Sequence, residues 1–174
     1  MMVRALDVHH FLASLSDRES SRFLNESDPA RVISLIQFAD WVSTVDTVKR
    51  VAVISGSENE PELLFLPLAE VHYFNFDDSQ MWDLNDDWSD GRLGKVAASF
   101  DIVLCEQVLE HVINPIQAVK NASLLLSSGG HLHLSVPGIN GTHGEPHYFY
   151  TGFNPHTPET FCLEAGLASE TSGG

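Results

Sequence analysis

Asp77 stands 21 residues beyond Gly56 in this 174-residue chain. A carboxylate about 20 residues past the glycine that closes a strand can accept hydrogen bonds from both hydroxyls of a ribose. Asp78 offers the same chemistry one residue later. Further along, Asp83 sits in "MWDLN", and Glu106, Gln107 and His111 sit in "CEQVLEHVINP". His143 and His147 are four apart with Glu145 between them. Two metal ligands on one helix face have that spacing. Gly144 and Pro146 interrupt the segment, however, so no helix and no metal are expected there. These histidines are expected to line a pocket or face water. Gly56 closes "KRVAVISG" and is followed by Ser57, Glu58, Asn59, Glu60 and Pro61, one glycine and then acids.

Such residues act together only if the fold gathers them. The first 48 residues read as helical: apolar residues recur at helical spacing in "VRALDVHHFLASLSDRESSRFL", and "SDPARVISLIQFADWVSTV" opens on Asp28 as a cap with Pro29 at the first helical position. "KRVAVISG" then reads as a buried strand, "EPELLFLP" as a short helix and "AEVHYFNFDD" as a second strand. "MWDLN" reads as a very short third strand. "SFDIVLCEQ" carries the uninterrupted run Ile102, Val103, Leu104, Cys105, which suits a parallel strand buried on both faces. "NPIQAVKNASLLLSSGG" is expected to be a helix from its Asn114 cap to Gly129-Gly130, followed by the strand "HLHLSVP" and the helix "TPETFCLEAGL". Strands alternating with helices imply a parallel sheet in an α/β fold. Ligands of such sheets bind at the carboxyl ends of the strands, where Gly56, Asp77, Asp83, Glu106 and Gln107 all fall.

Acidic residues outnumber basic ones 24 to 9, a formal charge of -15. That surface repels phosphate backbones and anionic lipid, so nucleic acid is not an expected substrate. Cys105 and Cys162 form neither a disulfide framework nor a metal motif. No secretory signal and no apolar run long enough to span a membrane are read, and a reducing, cytoplasmic setting is expected. The sequons, Asn121-Ala-Ser123 among them, read as chance.

The stretch "FDIVLCEQVLEHVINPIQAVKNASLLLSSGGHLHLSVP", from Phe100 to Pro137, closely resembles the second half of class I S-adenosylmethionine-dependent methyltransferases. The shared points, in order, are a strand of the type FDxV, a segment ending in LEH, a helix, a GG turn and a strand ending in proline. Arg50 to Asn85 fits the same family by strand order and by the spacing to Asp77, and the aromatic-rich "HGEPHYFY" resembles the substrate side of members that modify small molecules or sugars. The resemblance implies a Rossmann-like methyltransferase fold, an α/β three-layer sandwich with a mostly parallel sheet. It implies S-adenosyl-L-methionine as cofactor, met at its methionine end by Gly56, at its ribose by Asp77, at its adenine by Asp83 and Leu84, and at the pocket floor by Glu106 and Gln107. His147 and His111 become candidate general bases for a hydroxyl acceptor.

Three departures from the family pattern stand out. Ile54 and Ser55 precede Gly56 where an acid is usual, and Glu58 and Glu60 replace the remaining glycines of the loop. Glu58 or Glu60 could hold the ammonium of the cofactor. The interval from Gly56 to Asp101, 45 residues, implies a lost or shrunken helix after the second strand. The antiparallel edge strands that the family carries at its C-terminus are expected to be absent, either because the sequence is a fragment or because the sheet is abbreviated. Residues 1–174 are read as a single methyltransferase-like domain, with N-terminal helices over 1–48 and an α/β core over 49–174. The expected function is methyl transfer to a small-molecule acceptor. The alternative is a catalytically inactive module of the same fold that binds a protein partner. A dinucleotide-binding enzyme is disfavoured by the LEH segment.

Overall fold

The computed structural model describes residues 29–45, 47–76, 81–139, 141, 143–144 and 146–169. The expected first helix and the Asp28 cap lie outside them. The described residues divide into two compact units: those up to Val48 with Glu58–Leu68, and Lys49–Ser57 with those from Ala69 on.

In the first unit, helix α1 (Pro29–Val42) buries Leu35, Phe38 and Ala39, the three-to-four spacing of an amphipathic helix. Phe38 packs against Trp41 and Phe65, with ring centroids 5.6 and 6.1 Å away. Phe65 ends a 3-10 helix, Pro61–Phe65, which is what the short helix expected after the first strand becomes. The Arg31 guanidinium reaches both oxygens of the fully buried Glu62, at 2.9 and 3.0 Å.

The second unit is built on a four-stranded sheet of β1 (Arg50–Ile54), β2 (Glu70–Phe74), β3 (Phe100–Glu106) and β4 (Leu126–Ser135), in the order β2-β1-β3-β4. Every pairing is parallel. Val51–Ile54 and Ile102–Cys105 are buried, as continuous apolar runs in central parallel strands require. Burial also pushes the Cys105 thiol up and leaves it an inert core residue. Asp101 ties the start of β1 to β3 by accepting from the backbone N–H groups of Lys49 and Arg50 at 2.8 and 2.9 Å. The chain is thus an α/β protein with a parallel Rossmann-like sheet. Among the described residues no antiparallel edge strand follows β4, and no α-helix lies between β2 and β3, where 3-10 turns at Trp88–Asp90 and Gly94–Val96 take its place.

Helix α2 (Pro115–Leu125) opens as its sequence requires, Asn114 Oδ1 accepting from the Gln117 N–H at 3.2 Å. It closes four residues before Gly129, earlier than the GG pair suggests. Leu126 turns to extended geometry and pairs with Phe100, and the register then slips, so that Ile102 faces His131. The glycines serve this slip. Gly129 takes a φ of 79°, and a Cβ on Gly130 would lie 2.7 Å from the Phe100 carbonyl oxygen and within 3.2 Å of two others. Gly130→Ala is therefore expected to push β4 off β3 and to lower stability by about 1–2 kcal/mol in urea unfolding, because backbone atoms rather than a flexible side chain must yield. An unchanged midpoint would contradict the close approach.

"MWDLN" is not a strand. Asp83 Oδ1 accepts from both the backbone and side-chain nitrogens of Asn85 at 2.9 Å, and the Asp86 N–H reaches the Asp83 carbonyl at 3.2 Å. Short polar side chains that satisfy local backbone groups favour turns over ladders. Helix α3 (Thr157–Glu164) stops before the Leu167 suggested by its apolar pattern. Gly166, at φ 78°, lets its own N–H reach Leu163 O at 3.0 Å and that of Leu167 reach Cys162 O at 2.9 Å, the paired bonds of a left-handed helix stop.

Candidate functional site

Because β2 and β3 flank β1 on opposite sides, the strand order reverses next to β1, and a crevice opens outside the carboxyl ends of β1 and β3. Both strands leave the sheet through a residue in the left-handed region: Ser55 after β1 and Gln107 after β3, each at φ 53°. Side-chain-bearing residues adopt that conformation at a cost of about 1 kcal/mol, and such strain gathers at functional sites. The left-handed residue after β1 is Ser55, one position before Gly56. Gly56 itself is half-buried, and its carbonyl accepts from Asn75 Nδ2 at 2.9 Å, which joins the loops after β1 and β2.

The remaining strand ends are joined by a chain of contacts. Phe76, just past β2, meets the His147 ring at 6.0 Å between centroids. His111 Nδ1 donates to the His147 carbonyl at 2.6 Å. The 3-10 helix Leu109–His111 that carries this histidine is covered by the aromatic segment: the N–H groups of Phe149 and Tyr150 both reach the Glu110 carbonyl, at 2.8 and 3.2 Å, and Tyr150 OH donates to Ile113 O at 2.9 Å. Asn85 Oδ1 accepts from the N–H groups of Ile113 and Asn114, at 2.8 and 3.2 Å, and so brings in the turn that holds Asp83 and Leu84. Glu106 is held by the Ser135 hydroxyl and by His133 Nε2, the latter 2.9 Å away. Gln107 donates to Ser135 through its backbone N–H and its side chain, at 3.1 and 3.2 Å.

Gly56, Asp83, Leu84, Glu106, Gln107, His111 and His147 are thus all set at or just beyond the strand ends of one unit. Their states differ. Leu84 is a core side chain, Asp83 is half-buried with one oxygen committed to Asn85, and Gln107 and His147 are exposed. Glu58 is exposed and belongs to the first compact unit, so the geometry above does not include it. Asp77 and its neighbour Asp78 lie outside the described residues.

Two residues that the sequence reading passed over carry much of the arrangement. Asn121, fully buried on α2, accepts from the Trp88 N–H at 3.1 Å and from Gln117 Nε2 at 3.0 Å, and donates to the carbonyls of Leu84 and Asp86 at 3.1 and 2.8 Å. Its place in a sequon hid it; its position on the buried face of the helix was the available signal. Glu110 is also fully buried, and neither carboxylate oxygen has a hydrogen-bond partner. Burial pushes its carboxyl up, opposed in part by the nearness of its own backbone N–H and then by His111 and His143. Beyond β4 an open hollow of about 680 Å³ is lined by Gly138, Ile139, Thr151, Gly152, Phe153, Asn154 and Pro155. None of these has a titratable side chain.

A search of curated proteins returns no match. Among solved structures, a protein of Thermotoga maritima described as a SAM-dependent methyltransferase, possible histamine N-methyltransferase, aligns at 18% identity with a TM-score of 0.34, over 66% of this chain and 58% of its own. This chain therefore spans less than two thirds of the length of that structure. A family model described as Methyltransferase domain matches residues 13–156, most of the sequence, and the chain belongs to that family.

Proposed function

We propose that the chain binds S-adenosylmethionine at the carboxyl ends of β1, β2 and β3 and directs its methyl group to a small-molecule acceptor. The observation that carries this reading is the convergence, in a member of the methyltransferase-domain family, of the β1, β2 and β3 ends with the Asp83–Asn85 turn. The residues present fit the cofactor. Gly56 presents a loop without a side chain, Gln107 projects from an exposed turn, and the Asp83 turn is fixed from behind by Asn121 and from the side by residues 113 and 114. Asp77, by its spacing, is proposed to hold the ribose.

When bound, the cofactor supplies a methyl group on a sulfonium, open to in-line attack by a nucleophile. The task left to the protein is orientation. His147 is the proposed base for a hydroxyl acceptor: its ring is exposed beside Phe76 while its carbonyl is fastened to His111. The locked His111 ring would set the position of His147. His147→Ala is expected to reduce methyl transfer about 100-fold or more and to leave affinity for S-adenosylhomocysteine nearly intact. Loss of both would make the histidine structural.

Calorimetry with S-adenosylhomocysteine tests the whole reading; no binding at millimolar concentration would sink it. The second reading, an inactive module that engages a protein partner, draws on Ser55, which occupies a left-handed position better suited to glycine. Ser55→Gly should raise stability by about 1 kcal/mol. Unchanged ligand affinity in that variant would show that the serine does not disable the loop.

A further inference from the structure

We propose that Glu110, His111 and His143 bind a divalent transition-metal ion through one carboxylate oxygen and two imidazole nitrogens. One ligand atom from each residue lies within 4.8 Å of the others. His111 Nε2 and Glu110 Oε1 are 3.9 Å apart, beyond hydrogen-bond reach but suited to two groups closing on a shared ion.

Independent features of the cluster point the same way. The Glu110 side chain is fully buried and neither of its oxygens accepts a hydrogen bond, which is costly for a carboxylate unless a cation answers it. Each histidine has its Nδ1 against a backbone carbonyl, His111 on His147 O at 2.6 Å and His143 on Gly141 O at 2.9 Å. That bond places the proton on Nδ1 and leaves the Nε2 lone pair for a metal, the outer-sphere arrangement of metal-binding imidazoles. Backbone also holds the His111 ring in place: Gly144, at φ 67°, comes so near that a Cβ there would lie 2.8 Å from Cε1. Burial falls from Glu110 through half-buried His111 to exposed His143, so an ion would reach the carboxylate from solvent. Two imidazoles with one carboxylate favour zinc, cobalt or iron(II) over magnesium or calcium, which prefer oxygen. Three protein ligands leave open positions, and an oxygen or nitrogen of the acceptor would fill one. That last clause alone rests on the methyl-transfer reading.

The test uses cobalt(II) as probe on the full chain after treatment with a chelator. One equivalent should bind and give the visible ligand-field absorption of a nitrogen- and oxygen-coordinated ion. His143→Ala, at an exposed side chain, should weaken binding by about tenfold or more and alter the spectrum, with circular dichroism to check its fold. Glu110→Gln should do the same, with circular dichroism to check its fold. His156→Ala, at another exposed histidine, should change neither. Zinc should displace the cobalt stoichiometrically. Cobalt absorption equal in wild type and His143→Ala, or no stoichiometric binding in the wild type, overturns the proposal. S-adenosylhomocysteine calorimetry on the same samples keeps the two readings apart: binding of that ligand without cobalt overturns the metal alone, and cobalt binding without that ligand supports the metal while methyl transfer falls.

Discussion

Asn121→Leu is expected to lower the free energy of unfolding by about 4 kcal/mol, read as a shift in urea midpoint at constant slope. Leucine keeps the branched four-atom shape of asparagine and leaves no cavity, so the loss is chiefly one of hydrogen bonds, with a smaller cost for the bulkier methyl groups. The change leaves the Trp88 N–H and the carbonyls of Leu84 and Asp86 without their partner. Each buried, unsatisfied group costs about 1–3 kcal/mol, and partial opening of the loop toward water offsets some of the sum. The damage should concentrate where Trp88 packs on Phe74 and Trp82, with ring centroids 6.1 and 5.3 Å away, so tryptophan emission of the folded variant should shift to longer wavelength. Affinity for S-adenosylhomocysteine should fall as well, because the same bonds fix the turn that holds Asp83 and Leu84. Lys120→Ala, one residue earlier and exposed, should stay within about 0.5 kcal/mol of wild type. A loss below 1 kcal/mol for Asn121→Leu would show that the loop is held by its aromatic packing and not by this amide.

Asp77→Ala is expected to weaken S-adenosylhomocysteine binding by about 1.5–3 kcal/mol, the worth of hydrogen bonds to an ionised group, without a matching change in stability. The case rests on spacing, 21 residues from Gly56, and on the position of the residue after β2, whose last residue Phe74 pairs with Ile54 at the end of β1. The ribose hydroxyls are common to substrate and product, so a methylthioadenosine probe should lose as much as S-adenosylhomocysteine. Loss for the amino-acid-bearing ligand only would move Asp77 to the other end of the cofactor. Unchanged affinity for both would transfer the ribose role to Asp78.

The strands were legible because they are apolar runs of the right length. Ile102 to Cys105 can only be a buried strand in so short a segment, and the alternation of such runs with capped helices implied parallel pairing. Asn114 and Pro115 announced the start of α2 for an equally local reason: a side-chain acceptor and a fixed φ act within one turn. The positions of Gly56, Glu106 and Gln107 followed from that, since strand ends are where a parallel sheet opens to ligands.

Two errors share one cause. Helix α2 ends at Leu125 and not at the glycines because Leu126 gains a β3 partner, and the glycines are needed for close approach to Phe100 rather than for a helix stop. "MWDLN" looked like a strand from its apolar residues, but Asp83 and Asn85 satisfy each other first, and Asn121, distant in sequence, completes the turn.

By itself the sequence determined the α/β class, the family and the ends of β1 and β3 at Gly56, Glu106 and Gln107, because hydrophobic periodicity, caps and motif spacing are local properties written in consecutive positions. Tertiary structure alone decided which distant groups meet. It placed Asn121 behind the Asp83 turn, fastened His111 to the His147 carbonyl, and left the buried carboxylate of Glu110 facing His111 and His143. Such contacts join residues tens of positions apart, and their energy comes from burial and geometry that exist only once the strands have paired and the loops have closed over them.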